Sequence, residues 1–474
     1  MLFNSIEFIL FFLLVFVLYW TIPPGSVKKR NLFLLLTSYI FYAWWDIRFL
    51  GLIILSSAVD YSCGIAIAES EKQHRRKSYL LLSIFVNLGI LGFFKYSGFF
   101  IEELQVALHH LGIAIHTRTL NVILPVGISF YTFQTMSYSI DVYRGKVEPT
   151  RDMLAFFAFV SFFPQLVAGP IERAGRLLPQ FGRLKYFDYN MAVDGFRRVL
   201  WGLFAKIAVA DTVAPVVDQI FIHYNNVGSG VLALGAFLFA VQIYGDFAGY
   251  SNIAIGTAAL LGFRLMENFR TPYFAANLSE FWSRWHISLS TWFRDYVYIP
   301  LGGNRCNKFK YSINILITFV ISGLWHGANW TFIVWGLLHG IFYLVSKLVW
   351  RNTKTRKSKT FNFFPVLVTF TIVSLLFVIF RSEHIWQAFV YLRNMLLFKE
   401  GAVNLLNLVT KSNMVLALFF VVILIIVEGL QRNKRFALDF SEKPVFFRLA
   451  TYYFLVFSIL LTFSNDRVFI YFQF

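Results

Sequence analysis

Two cysteines, Cys63 and Cys306, are all that 474 residues hold. So small a set builds neither a disulfide framework nor a cysteine-rich metal site. Charge is scarce as well. Asp, Glu, Lys and Arg make up 14% of the chain, against about 25% in soluble proteins. No low-complexity segment and no internal repeat is visible. These shortages exclude the disordered, collagen-like and disulfide-rich classes. What the chain has instead is apolar bulk: 58% hydrophobic residues, 57 phenylalanines and a mean hydropathy of +0.62. A soluble enzyme of this length has no means of covering such a surface. In a bilayer, lipid takes the place of water around it, so the composition predicts an all-α polytopic membrane protein.

The net charge is +18. No DNA- or RNA-binding motif accompanies it, so nucleic acid is not an expected partner. The cations fall in short segments between apolar runs, where they set topology and meet membrane lipids. Runs of span length lie at 6–20, 31–47, 49–68, 79–98, 121–140, 199–222, 231–262, 311–325, 329–350, 361–380, 413–430 and 445–463. The run 153–168 contains Pro164 and leads into Gly169-Pro170. It reads as re-entrant or interfacial rather than crossing. With the N-terminus outside, segments 23–30, 69–78, 141–198, 264–310, 351–359 and 431–444 are cytoplasmic and hold 32 Lys and Arg, while the outer segments hold seven. The bias predicts N-terminus out and, with twelve crossings, C-terminus out. Nothing basic precedes the run from Ile6 to Trp20 and no Ala-x-Ala site follows it, so it reads as a retained span rather than a signal peptide. Residues 1–474 read as one membrane domain, with cytoplasmic inserts at 141–198 and 264–310 and a tail at 464–474.

Polar side chains at depth break this pattern. Glu7, Asp60, Lys206 and Asp211 read as pairs between helices or as the lining of water, and any ionisable group inside a membrane is a functional candidate. Of nine histidines, His74, His109, His110, His116, His223 and His384 fall in loops. His109-His110 has neither cysteine nor acid at ligand spacing, and no metal is expected. His326 sits in ISGLWHGANWTFIVWG, at the joint of two apolar runs. The run before it, 311–325, rises about 22 Å, short of a core of about 30 Å. That predicts His326 at depth, either packed or catalytic. His339, in the next helix, falls on a different face and reads as structural. His286 lies in FWSRWHISLSTWFRDYVYIPLGGNR, too polar for a lipid-facing span. This segment either lines a vestibule or lies on the inner surface as an amphipathic helix.

SRWHISLSTWFRDYVYIPLGGNR and SGLWHGANWTFIVWGLLHG resemble the paired motifs of the membrane-bound O-acyltransferases. More narrowly, they resemble the bacterial branch that O-acetylates alginate, peptidoglycan and cellulose. LPVGISFYTFQTMSYSIDVYRG (124–145), FFPQLVAGPIERA (162–174), YGDFAGYSNIAIGTAALLGF (244–263) and FIYFQF (469–474) agree, in order along the chain. The resemblance implies a helical barrel of about 11–12 spans with re-entrant or interfacial helices. Its cytoplasmic and extracytoplasmic funnels are opposed, and it sits in a bacterial inner membrane. The resemblance also implies His326 as the active-site histidine, His286 as the second motif histidine and acetyl-CoA as the acyl donor. The implied partner is an extracytoplasmic SGNH-type acetyltransferase that modifies an exported or cell-wall polysaccharide.

Chemistry suggests roles for the residues around these motifs. A hydroxyl is a poor nucleophile at neutral pH, and an imidazole at His326 can take its proton as it attacks a thioester. The oxyanion needs donors, for which Trp325, Asn329 and His286 are candidates. Arg284, Arg294 and Asp295 are candidates for holding substrate, and the Arg and Lys residues of 173–198 and 284–310 for the CoA phosphates. Tyr471 has two readings, an acyl relay through its phenol or an interfacial aromatic anchor. Two alternatives stay open. One is a D-alanyl-transferring relative fed by an acyl carrier protein. The other is a transporter without acyl chemistry, for which inverted repeats would argue; none is visible.

Overall fold

The computed structural model describes residues 1–113, 123–167, 169–349, 362–464 and 469, and among these every regular element is helical. Eight helices are long and apolar enough to cross a membrane: Ile47–Glu69, Gln73–His110, Tyr189–Ile222, Ser229–Leu260, Trp330–Val349, Phe363–Arg381, Lys411–Gln431 and Val445–Thr462. The chain is a multi-pass, all-helical membrane protein. Four expected spans fall outside this set. Ile6–Thr21, Val27–Ala43 and Ile128–Tyr143 have 16, 17 and 16 residues, which at 1.5 Å each is about 24–26 Å. Lys308–His326 has the length, but Lys308, Lys310, Asn314 and His326 make it more polar. The run 153–168 holds no helix of crossing length. Met153–Ser161 stops at Phe162, and Phe163–Leu166 restarts with Pro164 in its first turn, where a missing N–H is tolerated.

The chain packs as two compact units. The first comprises residues 1–195 and 257–266, the second residues 196–256 and 267–474. In the first unit the hydroxyl of Ser5 caps Ile6–Thr21 by accepting from Phe8 N (3.2 Å). Glu7 is exposed in that first turn rather than paired between helices, a position where the helix dipole favours a negative charge. Asp60 is fully buried among three helices. Its carboxylate accepts from Asn87 Nδ2 (2.7 Å), Ser139 Oγ (2.8 Å) and Ser83 Oγ. Ser56 Oγ (2.8 Å) and Thr135 Oγ1 (3.2 Å) donate in turn to Asn87 Oδ1. The network is closed within the chain.

The second unit contains most of the 32-residue helix Ser229–Leu260, about 48 Å long. Lys206 Nζ lies between Asp211 Oδ1 (2.7 Å) and Asp246 Oδ1 (2.6 Å), all three buried or nearly so. A buried cation survives only with such partners. Lys308–His326 and Trp330–Val349 form a tight hairpin. A Cβ at Gly323 would run into the Phe332 carbonyl, and one at Gly336 into the Phe319 carbonyl. Only glycine lets the two backbones come this close.

Candidate active site

A local exchange of backbone hydrogen bonds sets His286. Arg270 N donates to Arg284 O (3.0 Å) and Ile287 N to Asn268 O (2.9 Å), so that segment 268–270 runs beside 284–287. Between these bonds His286 takes φ +43°, ψ +54°, in the left-handed region. Such a backbone costs about 1–3 kcal/mol and persists only where its surroundings over-determine it. Asn268, fully buried, does so. Its Oδ1 accepts from Ser288 Oγ (2.9 Å) and Ser288 N (3.4 Å), and its Nδ2 donates to Ser251 Oγ (3.1 Å). Upstream, Asn277 caps Leu278–Arg284 by accepting from Glu280 N (2.9 Å).

His326 is the last residue of its helix. Asn329 holds the turn that follows: its Oδ1 accepts from Thr331 N (3.0 Å) and its Nδ2 donates to Glu383 O (2.8 Å). The helix runs 19 residues, about 28 Å, where the apolar run alone suggested about 22 Å. The buried position of His326 therefore comes from the rings packed over it, not from a helix that stops halfway.

The two motif imidazoles come together, with ring centroids 6.4 Å apart. Trp325 lies 5.9 Å from His286 and 5.0 Å from His326. Phe247 meets His286 edge-on at 4.7 Å and Phe269 stacks on it at 6.3 Å. Trp335 (5.2 Å) and Phe380 (5.4 Å) close over His326. His286 is fully buried, and among the described residues neither of its ring nitrogens has a hydrogen-bond partner. It sits between two short helices, outside the eight of membrane length. Burial pushes its pKa from 6.5 down to about 3, which keeps it neutral. A neutral imidazole carries one donor and one acceptor. Leaving both unused inside aromatic walls is costly unless a ligand completes them.

The cluster extends one step further. Trp335 is also 4.7 Å from His339, which is fully buried against Trp282 (5.0 Å) and likewise has no partner on either nitrogen. The other candidates from the sequence have partners of their own or lie outside the described residues. Arg284 pairs with Glu280 (2.5 Å) and reaches Thr271, and the exposed Arg294 pairs with Asp295 (2.8 Å). Tyr471 lies outside the described residues. Phe469 is buried, with its ring 4.2 Å from Tyr250 and 5.9 Å from Phe247, the same ring that meets His286.

Two further residues of this region were not foreseen. Asn268 supports His286 from 18 positions away through a loop, and no periodicity or spacing links the two. Glu428 is buried in Lys411–Gln431 and accepts from Tyr244 Oη (2.6 Å), and the Tyr244 ring is 6.1 Å from Trp285. As the single acid of an otherwise apolar 21-residue helix, Glu428 did carry a sequence signal.

Residues 150–385 match the family model for membrane-bound O-acyltransferases. The chain is 43% identical over 390 residues to a probable alginate O-acetylase, AlgI, of Pseudomonas syringae pv. tomato, covering 82% of this chain and 74% of the relative. It is 34% identical to a peptidoglycan O-acetyltransferase of Helicobacter pylori, covering 83% and 80%. A teichoic acid D-alanyltransferase of Streptococcus thermophilus is 28% identical, over 54% of this chain and 68% of the relative.

Proposed function

This chain belongs to the membrane-bound O-acyltransferase family, and we propose that it moves acetyl groups from cytoplasmic acetyl-CoA across the membrane. The acceptor on the far side is an SGNH-type acetyltransferase that modifies an exported or cell-wall polysaccharide. The protein is an O-acyltransferase; acetyl as the group and polysaccharide as the destination rest on the O-acetylating relatives, which match more of the chain at higher identity than the D-alanyl-transferring one. The observation that carries the chemistry is the buried His286/His326 pair around Trp325, with the nitrogens of His286 unspent.

In the transfer step His326 takes the proton of the acceptor hydroxyl while its oxygen attacks the thioester carbonyl. A C–O bond forms, the C–S bond breaks as the tetrahedral intermediate collapses, and the CoA thiolate leaves and takes up the proton. His286 and the Trp325 indole are the donors we assign to the developing oxyanion. Tyr471 serves as the first acceptor, since a phenol ester is an activated donor for the next transfer. Phe469, two positions before Tyr471, is buried beside Phe247 in the second unit, which supports this reading. The N-terminus faces outward and the protein resides in a bacterial inner membrane, on the cation bias of its segments.

Inside-out vesicles that also carry the partner test this reading. Labelled acetyl-CoA supplied to the cytoplasmic face should label the polymer. His326→Ala should cut transfer by about 10²-fold or more with normal membrane insertion, and near-normal transfer would remove His326 from the mechanism. Tyr471→Phe keeps the aromatic ring and should stop transfer to the partner. Normal transfer by that variant would leave the tail an anchor.

A further inference from the structure

Cations from three separate segments gather in the first unit. The Arg30 guanidinium lies 5.1 Å from the Tyr19 ring and 5.2 Å from Trp20. Its Nη1 donates to Lys185 O (2.5 Å), and its Nε and Nη2 donate to Ile22 O. Lys185 Nζ donates to Gly262 O (2.8 Å) and stands 4.1 Å over the Phe263 ring. Trp20 Nε1 donates to Leu260 O (3.0 Å). These bonds close the C-terminal end of Ser229–Leu260, where Gly262 takes φ +78° and its carbonyl would otherwise lack a donor. Lys185 and Arg30 therefore have structural work.

Arg183 and Arg264 do not. Both are exposed; Arg183 lies two residues before Lys185, and Arg264, two residues after Gly262, is held through its backbone by the Gln180 side chain. The charged groups acting on Lys185 are Arg183, Arg264 and Arg30, all cations; with burial as the larger cause they push its amine down to about 8. Four like charges brought together without a carboxylate among them form an anion site, and guanidinium forks suit phosphate.

The surroundings say which phosphate. Leu10, Leu14 and Val17 are exposed at helical spacing on Ile6–Thr21, and that apolar face runs along the helix toward Trp20. Tyr186 and Phe187 stand exposed beside Lys185, with Phe187 5.3 Å from Trp20. Aromatic and cationic side chains at the end of an apolar helix are the composition of a membrane interface. A free phosphate compound would use the cations alone. A phosphate joined to acyl chains uses both surfaces.

We propose that the exposed Arg183 and Arg264, with Lys185 and the buried Arg30 behind them adding positive charge, form a binding site for the headgroup of an anionic phospholipid whose acyl chains lie along the exposed face of Ile6–Thr21. The full-length protein in neutral detergent is titrated with phosphatidylglycerol and with phosphatidylethanolamine of the same chains, and retained lipid is counted by native mass spectrometry. Arg183→Gln with Arg264→Gln should weaken phosphatidylglycerol binding about tenfold, leave phosphatidylethanolamine binding and the melting temperature unchanged, and be rescued by lysine at both positions. Unchanged phosphatidylglycerol binding in the glutamine variant would overturn the site. An equal loss from Lys308→Gln with Lys310→Gln would overturn it too, since the effect would then be one of net charge. Displacement of the lipid by millimolar CoA or inorganic phosphate would give the cluster to a soluble phosphate and overturn the assignment to lipid.

Discussion

In the first unit Asp60 is buried among three helices, and the donors around it are all turned to its carboxylate: Ser83, Asn87 and Ser139 directly, with Ser56 and Thr135 holding Asn87 in place. In the second unit His286 is buried as completely, yet among the described residues its nitrogens have no hydrogen-bond partner and its ring packs against aromatic rings. Burying a polar group without a partner costs a few kcal/mol. The chain avoids that cost at Asp60 with side chains from its own helices. At His286 it bears the cost and adds a strained backbone. The difference separates two uses of a buried polar group. A closed network fixes how helices pack. An open one, held rigid by its second layer, is suited to complete its hydrogen bonds with a substrate.

The strongest challenge to that contrast is a pair of substitutions. His286→Asn tolerates the left-handed backbone but removes the imidazole. It should lower acetyl transfer by about 10²-fold or more with the melting temperature in detergent little changed. Asp60→Ala should do the reverse. It strands three buried donors, lowers stability by about 2–4 kcal/mol and reduces yield, while each folded molecule works at the normal rate. A stable Asp60→Ala protein without activity would make the first network a functional one.

A smaller effect is expected at the layer behind His286. Asn268→Ala frees Ser288 and loosens the loop, which should lower kcat about tenfold with little change in KM. Asn268→Asp retains the oxygen that accepts from Ser288 and should recover much of the loss. Equal activity of the alanine variant and the native protein would show that the backbone bonds alone orient the imidazole.

The mildest test is acid stability. The folded pKa of His286, about 3, lies below its ordinary 6.5. Between these values the unfolded chain holds a proton that the folded chain does not. The contribution of neutral His286 is therefore complete above pH 6.5 and declines as pH falls toward 3. The melting temperature of His286→Asn should fall less steeply than that of the native protein across this window. An identical slope would place the acid sensitivity on other groups.

Much of the site was legible before the fold. WHISLS and WHGAN mark His286 and His326, and the structure brings both together beside Trp325. Asn329, marked by the same motif, proves to hold the turn, because an amide two positions before Thr331 is placed to cap the next helix. Arg284 and Arg294 are bound to acids within four residues of themselves, a local pairing that a charge pattern shows but a search for substrate contacts passes over. The membrane runs were legible in kind: among the described residues eight of the twelve are helices of crossing length and hydropathy, three are a few residues shorter and one is more polar.

The sequence alone determined the solvent of this protein and which histidines sit in its two motifs. Hydropathy and charge accumulate residue by residue, so a chain this apolar is committed to lipid in any arrangement, and a motif histidine remains a histidine. Only the tertiary structure decided that Asn268 supports His286, that Trp335 lies against both His326 and His339, and that Arg30, Lys185 and Arg264 share one neighbourhood. Asn268 and Ser288, which hold His286, are 20 positions apart, and Arg30 and Lys185 are 155. Those relations depend on which helix faces pack together, and packing is decided by shape and hydrogen bonding across the whole unit rather than by any local stretch of chain.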